Sequence, residues 1–142
     1  ARADMPPYAG PCGNVNMTIR DWAKFIALHL RGDPANPQRR LALLSAGAFE
    51  HLHRAAPGET FSPGWGVGAA DFAKGAGPRD VGKILGHAGT NGNWYSKALL
   101  APEIDLAVLA VCNRGGAAAG RAVETATVEL MKKFASIPPG TN

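Results

Sequence analysis

Three strand-like runs in quick succession, Lys83–Ala88, Asn93–Ala101 and Ile104–Cys112, leave this chain few ways to fold. The first two are joined by GTNG and the last two by PEID, turns short enough only to reverse the chain. The middle run alternates, with Trp94, Ser96, Ala98 and Leu100 on one side and Tyr95, Lys97 and Leu99 on the other. Pro102 fixes its own φ and Asp105 favours a turn, so PEID is a tight reversal. The last run is almost unbroken apolar chain, the pattern of a central strand covered on both faces. Ahead of them, PGWGVGAADF reads as a glycine-weakened strand near an edge. An antiparallel meander over residues 64–113 is the expectation.

Helices flank it. TIRD, starting at Thr18, has the form of a capping box, and Ile19, Trp22, Ala23, Ile26 and Leu30 follow at helical spacing. Gly32 and Pro34 end that helix, predicted over 18–31. A shorter helix over 45–54 starts at Ser45 and buries Phe49 and Leu52. A last one over 117–135 carries a stripe of Val123, Ala126 or Thr127, Leu130 and Phe134. Helix, helix, meander, helix is an α+β order, and 142 residues suit one domain.

Composition narrows the function classes. A formal charge of +4 is spread thinly, with Arg39-Arg40 and Lys132-Lys133 the only basic doublets, and no basic stripe interleaved with aromatics points to nucleic acid. No run approaches the ~20 apolar residues of a membrane span. Cys12 and Cys112 belong to no metal or redox motif, and either buried thiols or one bridge fits them. No cofactor is implied. His51-Leu52-His53 brings metal to mind, but helical residues two apart point to different sides. Asn16-Met17-Thr18 spells a glycosylation sequon, yet its Thr is better explained as a helix cap. The opening ARADMPPYAGPCG lacks both an initiator Met and an element signal, whereas SIPPGTN reads as a tail. The expectation is a C-terminal segment of something longer, with bacterial periplasm and cytoplasm both open as its location.

Two stretches carry a family likeness. PCGNVNMTIRDWAKF (11–25) is similar to a Pro-small-Gly-Gly-x-x-Ser-Thr-x-x-Asp-x-Ala-x-Phe segment. Pro11, Gly13, Thr18, Asp21, Ala23 and Phe25 match, while Asn14 replaces the second Gly and Met17 the Ser. GWGVG (64–68), followed by GHAGTNGNWYSKALLAPEIDLAVLAVCNRG (86–115), is similar to a Gly-x-Gly strand, a His-x-Gly motif, a Pro-Glu hairpin and a closing Asn-Arg. In this order they resemble the C-terminal part of the serine β-lactamase and penicillin-binding-protein-like family, especially its class C-type and esterase-like members. The resemblance implies a partial β-lactamase/transpeptidase-like fold and hydrolysis of an ester, amide or β-lactam through an acyl-enzyme.

Carried over residue by residue, the resemblance makes His87, Ala88 and Gly89 the cleft-lining motif and the Thr90 backbone N–H an oxyanion donor. Such a donor stabilises charge that develops only in the tetrahedral state. His87 would polarise the surroundings of the nucleophile or, protonated, hold a substrate carboxylate. Its competing reading is a strand histidine with a satisfied hydrogen bond. Asn14 and Asn113 are further substrate-binding candidates, although capping and solvation also account for Asn113. Trp22, Trp65 and Trp94 are expected in core or cleft wall.

The chain departs from the family at the nucleophile. Of Ser45, Ser62, Ser96 and Ser136, none is followed by Lys three residues later, and neither Tyr8 nor Tyr95 stands in a Tyr-x-Asn. Alone, the chain is therefore expected to be inactive. Two other readings stand beside a hydrolase segment: a non-catalytic module binding a ligand or partner near His87, and a fragment that self-associates. An apolar strand with one hairpin partner leaves an edge open to pairing. Its partner would be the missing N-terminal half or a second copy of the chain. Sedimentation of the chain at micromolar concentration is expected to show association, and a stable, well-folded monomer would contradict this.

Overall fold

A computed structural model describes residues 6–39 and 43–137. The readings placed on the opening segment before residue 6, on Arg40 and on the tail from residue 138 lie outside the described residues. The elements are α1 (Gly10–Gly13), α2 (Ile19–Gly32), α3 (Ala46–Leu52), β1 (Phe61–Ser62), β2 (Trp65–Ala69), β3 (Lys83–Thr90), β4 (Tyr95–Ala101), β5 (Leu106–Cys112) and α4 (Ala117–Ala135). Short 3-10 turns cover Pro7–Ala9, Asp71–Ala73 and Pro102–Ile104. The five strands form one antiparallel sheet in the order β1-β2-β3-β4-β5. An α+β architecture results.

The alternation along β4 sorts the core onto two faces. Ala98 and Leu100 join Leu85, Trp65, Ile26 and Leu30 on the α2 face. Leu99 and Ala101 join Val108, Ala73 and Met131 on the α4 face. Burying large apolar side chains in this way contributes about 1.5–3 kcal/mol each. Thr18 caps α2, its hydroxyl accepting the Asp21 N–H at 3.1 Å and donating to the Asp21 carboxylate at 2.7 Å. Ser45 caps α3 by accepting the Ala48 N–H, and Phe49 is wholly buried. A Cβ on Gly32 would collide with the Phe49 ring, so only glycine lets the two helices approach there.

β5 keeps its one hairpin partner, β4, among the described residues. Its apolar run arises because α4 and α2 lie on its two faces, while its outer margin is uncovered and Val111 is 57 % exposed. Several expectations need correction. On α4 the buried positions are Ala119, Gly120, Val123, Thr127 and Met131, whereas Leu130 and Phe134 face outward. The stripe runs in steps of four, and Thr127 joins it by donating its hydroxyl to the Val123 carbonyl. On α2, Ile19 and Ala23 are exposed, and the helix turns Ile26 and Leu30 to the core. β3 runs on through Gly89 and Thr90, the first half of the expected GTNG turn, and β4 starts at Tyr95 rather than Asn93. β1 was missed, since two residues carry no periodic signal.

The PEID reversal does more than turn the chain. Asp105 takes the left-handed conformation at φ 50°, and its carboxylate accepts from Asn36 Nδ2 at 2.8 Å. Glu103 is buried and accepts four backbone N–H groups, from Gly75, Val81, Gly82 and Lys83, at 2.8–3.4 Å. Burial pushes its carboxyl up, but those donors outweigh burial and hold it below the ordinary glutamate value. One side chain thus fixes the whole approach to β3. Glu103→Ala should cost about 2–4 kcal/mol in urea unfolding, because one buried and three partly buried N–H groups lose their acceptor together. Glu103→Gln should cost less.

Candidate functional site

β2 stops short of its neighbour. It pairs with β3 from Ala69↔Lys83 to Gly66↔Gly86, and then the chain turns at Pro63-Gly64 so that Trp65 pairs with Ser62 instead. Gly64 makes that turn at φ 90°. Residues 87–90 of β3 are consequently paired only with β4 among the described residues. This bare strand margin borders a groove of about 670 Å³.

The groove is built from three directions. β3 and β4 give His87, Gly89, Tyr95 and Ser96. From α2 come Ile19, Trp22, Phe25 and His29, the stripe next to the one that feeds the core. Segment 12–17 adds Cys12, Val15, Asn16 and Met17, and Trp65, Trp94, Val111 and Cys112 complete the wall. Large apolar groups here remain open to solvent, among them Met17, Phe25 and Trp94 at 50 %, 49 % and 51 % exposure. All three tryptophans line the groove, and Trp65 also belongs to the core. Both cysteines line it as free thiols.

Of the residues singled out in the sequence, His87 and Gly89 line the groove together. His87 is exposed at the strand margin, its ring 6.4 Å from that of Phe61. Ala88 and Thr90 alternate to the other side of β3, and Asn14 and Asn113 are not part of the lining. The Thr90 hydroxyl donates to the Trp94 carbonyl at 2.5 Å and accepts the Gly92 N–H at 3.0 Å, so its side chain holds the following turn. A Cβ on Gly89 would meet nothing nearer than Ser96 Oγ at 3.8 Å. Folding therefore leaves position 89 free to carry a side chain, and what its absence keeps open is the groove.

Sequence reasoning weighed Ser96 only as a nucleophile and passed over His29. Ser96 is the cross-strand neighbour of Gly89 and brings a hydroxyl to the groove. No base is hydrogen-bonded to it among the described residues, so nothing there activates it as a nucleophile. Ser62 is buried and donates to the Leu52 carbonyl, and Ser45 is a helix cap. Among the described residues no group of acidic, His and Cys side chains is arranged to hold a metal.

His29 is the groove end of a buried polar chain. Its Nδ1 lies 2.9 Å from His53 Nε2, and His53 Nδ1 lies 2.7 Å from Asp33 Oδ2. Asp33 also accepts from Lys83 Nζ at 2.7 Å and from the Ala35 N–H at 2.9 Å. The side chains of His53 and Asp33 are wholly buried. Burial pushes the Asp33 carboxyl up, but the hydrogen bonds from His53, Lys83 and Ala35 outweigh it and hold the group below its ordinary value. Burial pulls the His29 imidazolium down to about 4.

Comparison with family models decides the kinship: the family described as Beta-lactamase matches residues 1–131. The chain belongs to the β-lactamase family. Comparison with curated proteins and with solved structures gave no match. In this β-lactamase-family chain, the His-x-Gly strand borders an open groove.

Protonation and folding are linked with a definite sign. His29 drops from an ordinary 6.5 to about 4 on folding, so the unfolded chain binds more protons between those values. Stability is complete above about pH 6.5 and falls as the pH is lowered towards about 4, with Asp33 and Glu103 adding further loss in the carboxylate range. Thermal melts across this window should show a falling midpoint, and His29→Phe should make the upper part of the fall shallower.

Proposed function

We propose that the groove is the substrate cleft of a serine hydrolase, for which this chain supplies one wall and the oxyanion side. The observation that carries the reading is the bare β3 margin at 87–90 beside an aromatic-lined groove. A substrate lying along that margin meets unpaired backbone on one side and Trp22, Trp65 and Trp94 on the other. The substrate class is a small ester, amide or β-lactam.

The reaction runs through an acyl-enzyme. A serine oxygen adds to the substrate carbonyl carbon while a neighbouring base takes its proton. The oxygen that becomes negative is met by the Thr90 N–H, a contact worth about 2.7–4 kcal/mol in the transition state. The leaving group departs with a proton, and water then cleaves the acyl ester. His87 flanks the serine and polarises it or holds a substrate carboxylate. The serine and its Lys belong to polypeptide outside this sequence, since no Ser-x-x-Lys occurs within it. That polypeptide is the partner for the exposed apolar groups around the groove.

Ser96, a groove hydroxyl with no base bonded to it, favours a second reading, a non-catalytic module that binds a ligand in the same groove. The open β5 edge would equally suit a self-associating fragment. Labelling separates them. Fluorophosphonate or penicillin should attach covalently to the protein that contains this chain, and failure of both would leave the binding module. Gly89→Val should fold with stability within about 1 kcal/mol of the parent, since no protein atom crowds that site, yet abolish labelling by filling the groove. Retained labelling in that variant would remove the β3 margin from the cleft.

A further inference from the structure

The polar chain behind the groove has an unusual construction. Three elements contribute to it: α2 gives His29 and the residue at its end, Asp33, α3 is followed by His53, and β3 brings Lys83. Trp65 and Phe49 pack against both imidazoles, with centroids 5.1 and 6.1 Å from Trp65 and 5.8 and 5.7 Å from Phe49. Phe25 closes on His29 at 4.7 Å. The rings are thereby held in orientation, and only hydrogen positions remain to be settled.

Those positions follow from charge. An ionised carboxylate only accepts, so His53 Nδ1 carries a hydrogen and donates it to Asp33. The Lys83 ammonium already balances Asp33 at 2.7 Å. A second proton on the wholly buried His53 would leave a net buried charge, which is costly. His53 is therefore neutral, and its Nε2 accepts from His29 Nδ1–H. Neutral His29 then has a lone pair at Nε2. Among the described residues no buried side-chain nitrogen or oxygen lacks a partner, and Nε2 has none, so it reaches open space. His29 lines the groove.

We propose that His29 is a ligand-binding residue of the groove, its Nε2 lone pair held as an acceptor by His53, Asp33 and Lys83, and that at its own end of the groove it favours a neutral hydroxyl or amide N–H over a carboxylate. This rests on the groove being a ligand cleft. His53, Asp33 and Lys83 are positioning residues, acting only through the tautomer of His29. On the groove side the titratable neighbours are His87, Tyr95, Cys12 and Cys112, none of them a permanent cation that would offset a carboxylate beside the lone pair.

The test is nuclear magnetic resonance on histidine-labelled protein at neutral pH. Long-range nitrogen–proton correlations should give His29 the Nδ1–H tautomer, with Nε2 unprotonated. Benzamide, a neutral N–H donor with an aromatic body, should shift the Nε2 resonance, and benzoate of the same shape should not. Lys83→Met removes the balancing charge, so His53 should take up a proton and His29 should switch to the Nε2–H tautomer, with benzoate then preferred. A merely structural role for the chain would leave the tautomer and the preference unmoved. An Nε2–H form in the parent protein overturns the proposal, as does a stronger response to benzoate or no response to either compound. Should Lys83→Met fail to fold, the parent spectra decide alone. The tautomer is read without any acyl transfer, so a failed hydrolase reading and a failed His29 reading give different results.

Discussion

A single buried carboxylate, Asp33, holds the groove's back wall in place. It lies just past the end of α2 and gathers a donor from the end of α3 and another from β3 while itself excluded from water. An ionised side chain in such a place is tolerable only when its charge is matched and its lone pairs are met. Matching them requires the two helices and the strand to arrive in one arrangement. That arrangement carries the neighbouring stripe of α2 past the sheet as the wall of the groove.

The groove itself is a consequence of strand lengths. β2 turns away after Gly66, while β3 continues to Thr90 against β4 alone. Among the described residues, four positions of strand backbone are left without a partner on one side. α2 divides its apolar residues between two stripes, sending Ile26 and Leu30 into the core and Trp22 and Phe25 towards the open margin. Glu103 anchors the far end of the strand by fixing residues 75–83. A margin is useful to a ligand only where the strand cannot drift.

Much of this could be read from local pattern. The two-residue period of β4 places Ala98 and Leu100 opposite Leu99 and Ala101, and the structure puts them in separate clusters. Thr18 and Ser45 announce two helices because a side-chain oxygen satisfies an N–H near the first turn. The continuous apolar run of β5 asks for cover on both faces, which α4 and α2 supply, while its one hairpin partner leaves an edge open among the described residues. On α4, Leu130 and Phe134 suit a buried stripe as well as Thr127 and Met131 do. Only the position of the sheet chose between them.

The sequence by itself determined the meander, the caps, the glycine-flanked His87 and the absence of a Ser-x-x-Lys, because each rests on residues within a few positions of one another. It could not assign His29 or His53. His29 belongs to no local motif, and His53 is half of a weak metal motif. Asp33, the partner of His53, and Lys83 stand fifty residues apart in the chain yet share one hydrogen-bonded contact. Charge balance among groups brought together from distant segments is a property of tertiary contact. The chemistry of the groove was accordingly decided there.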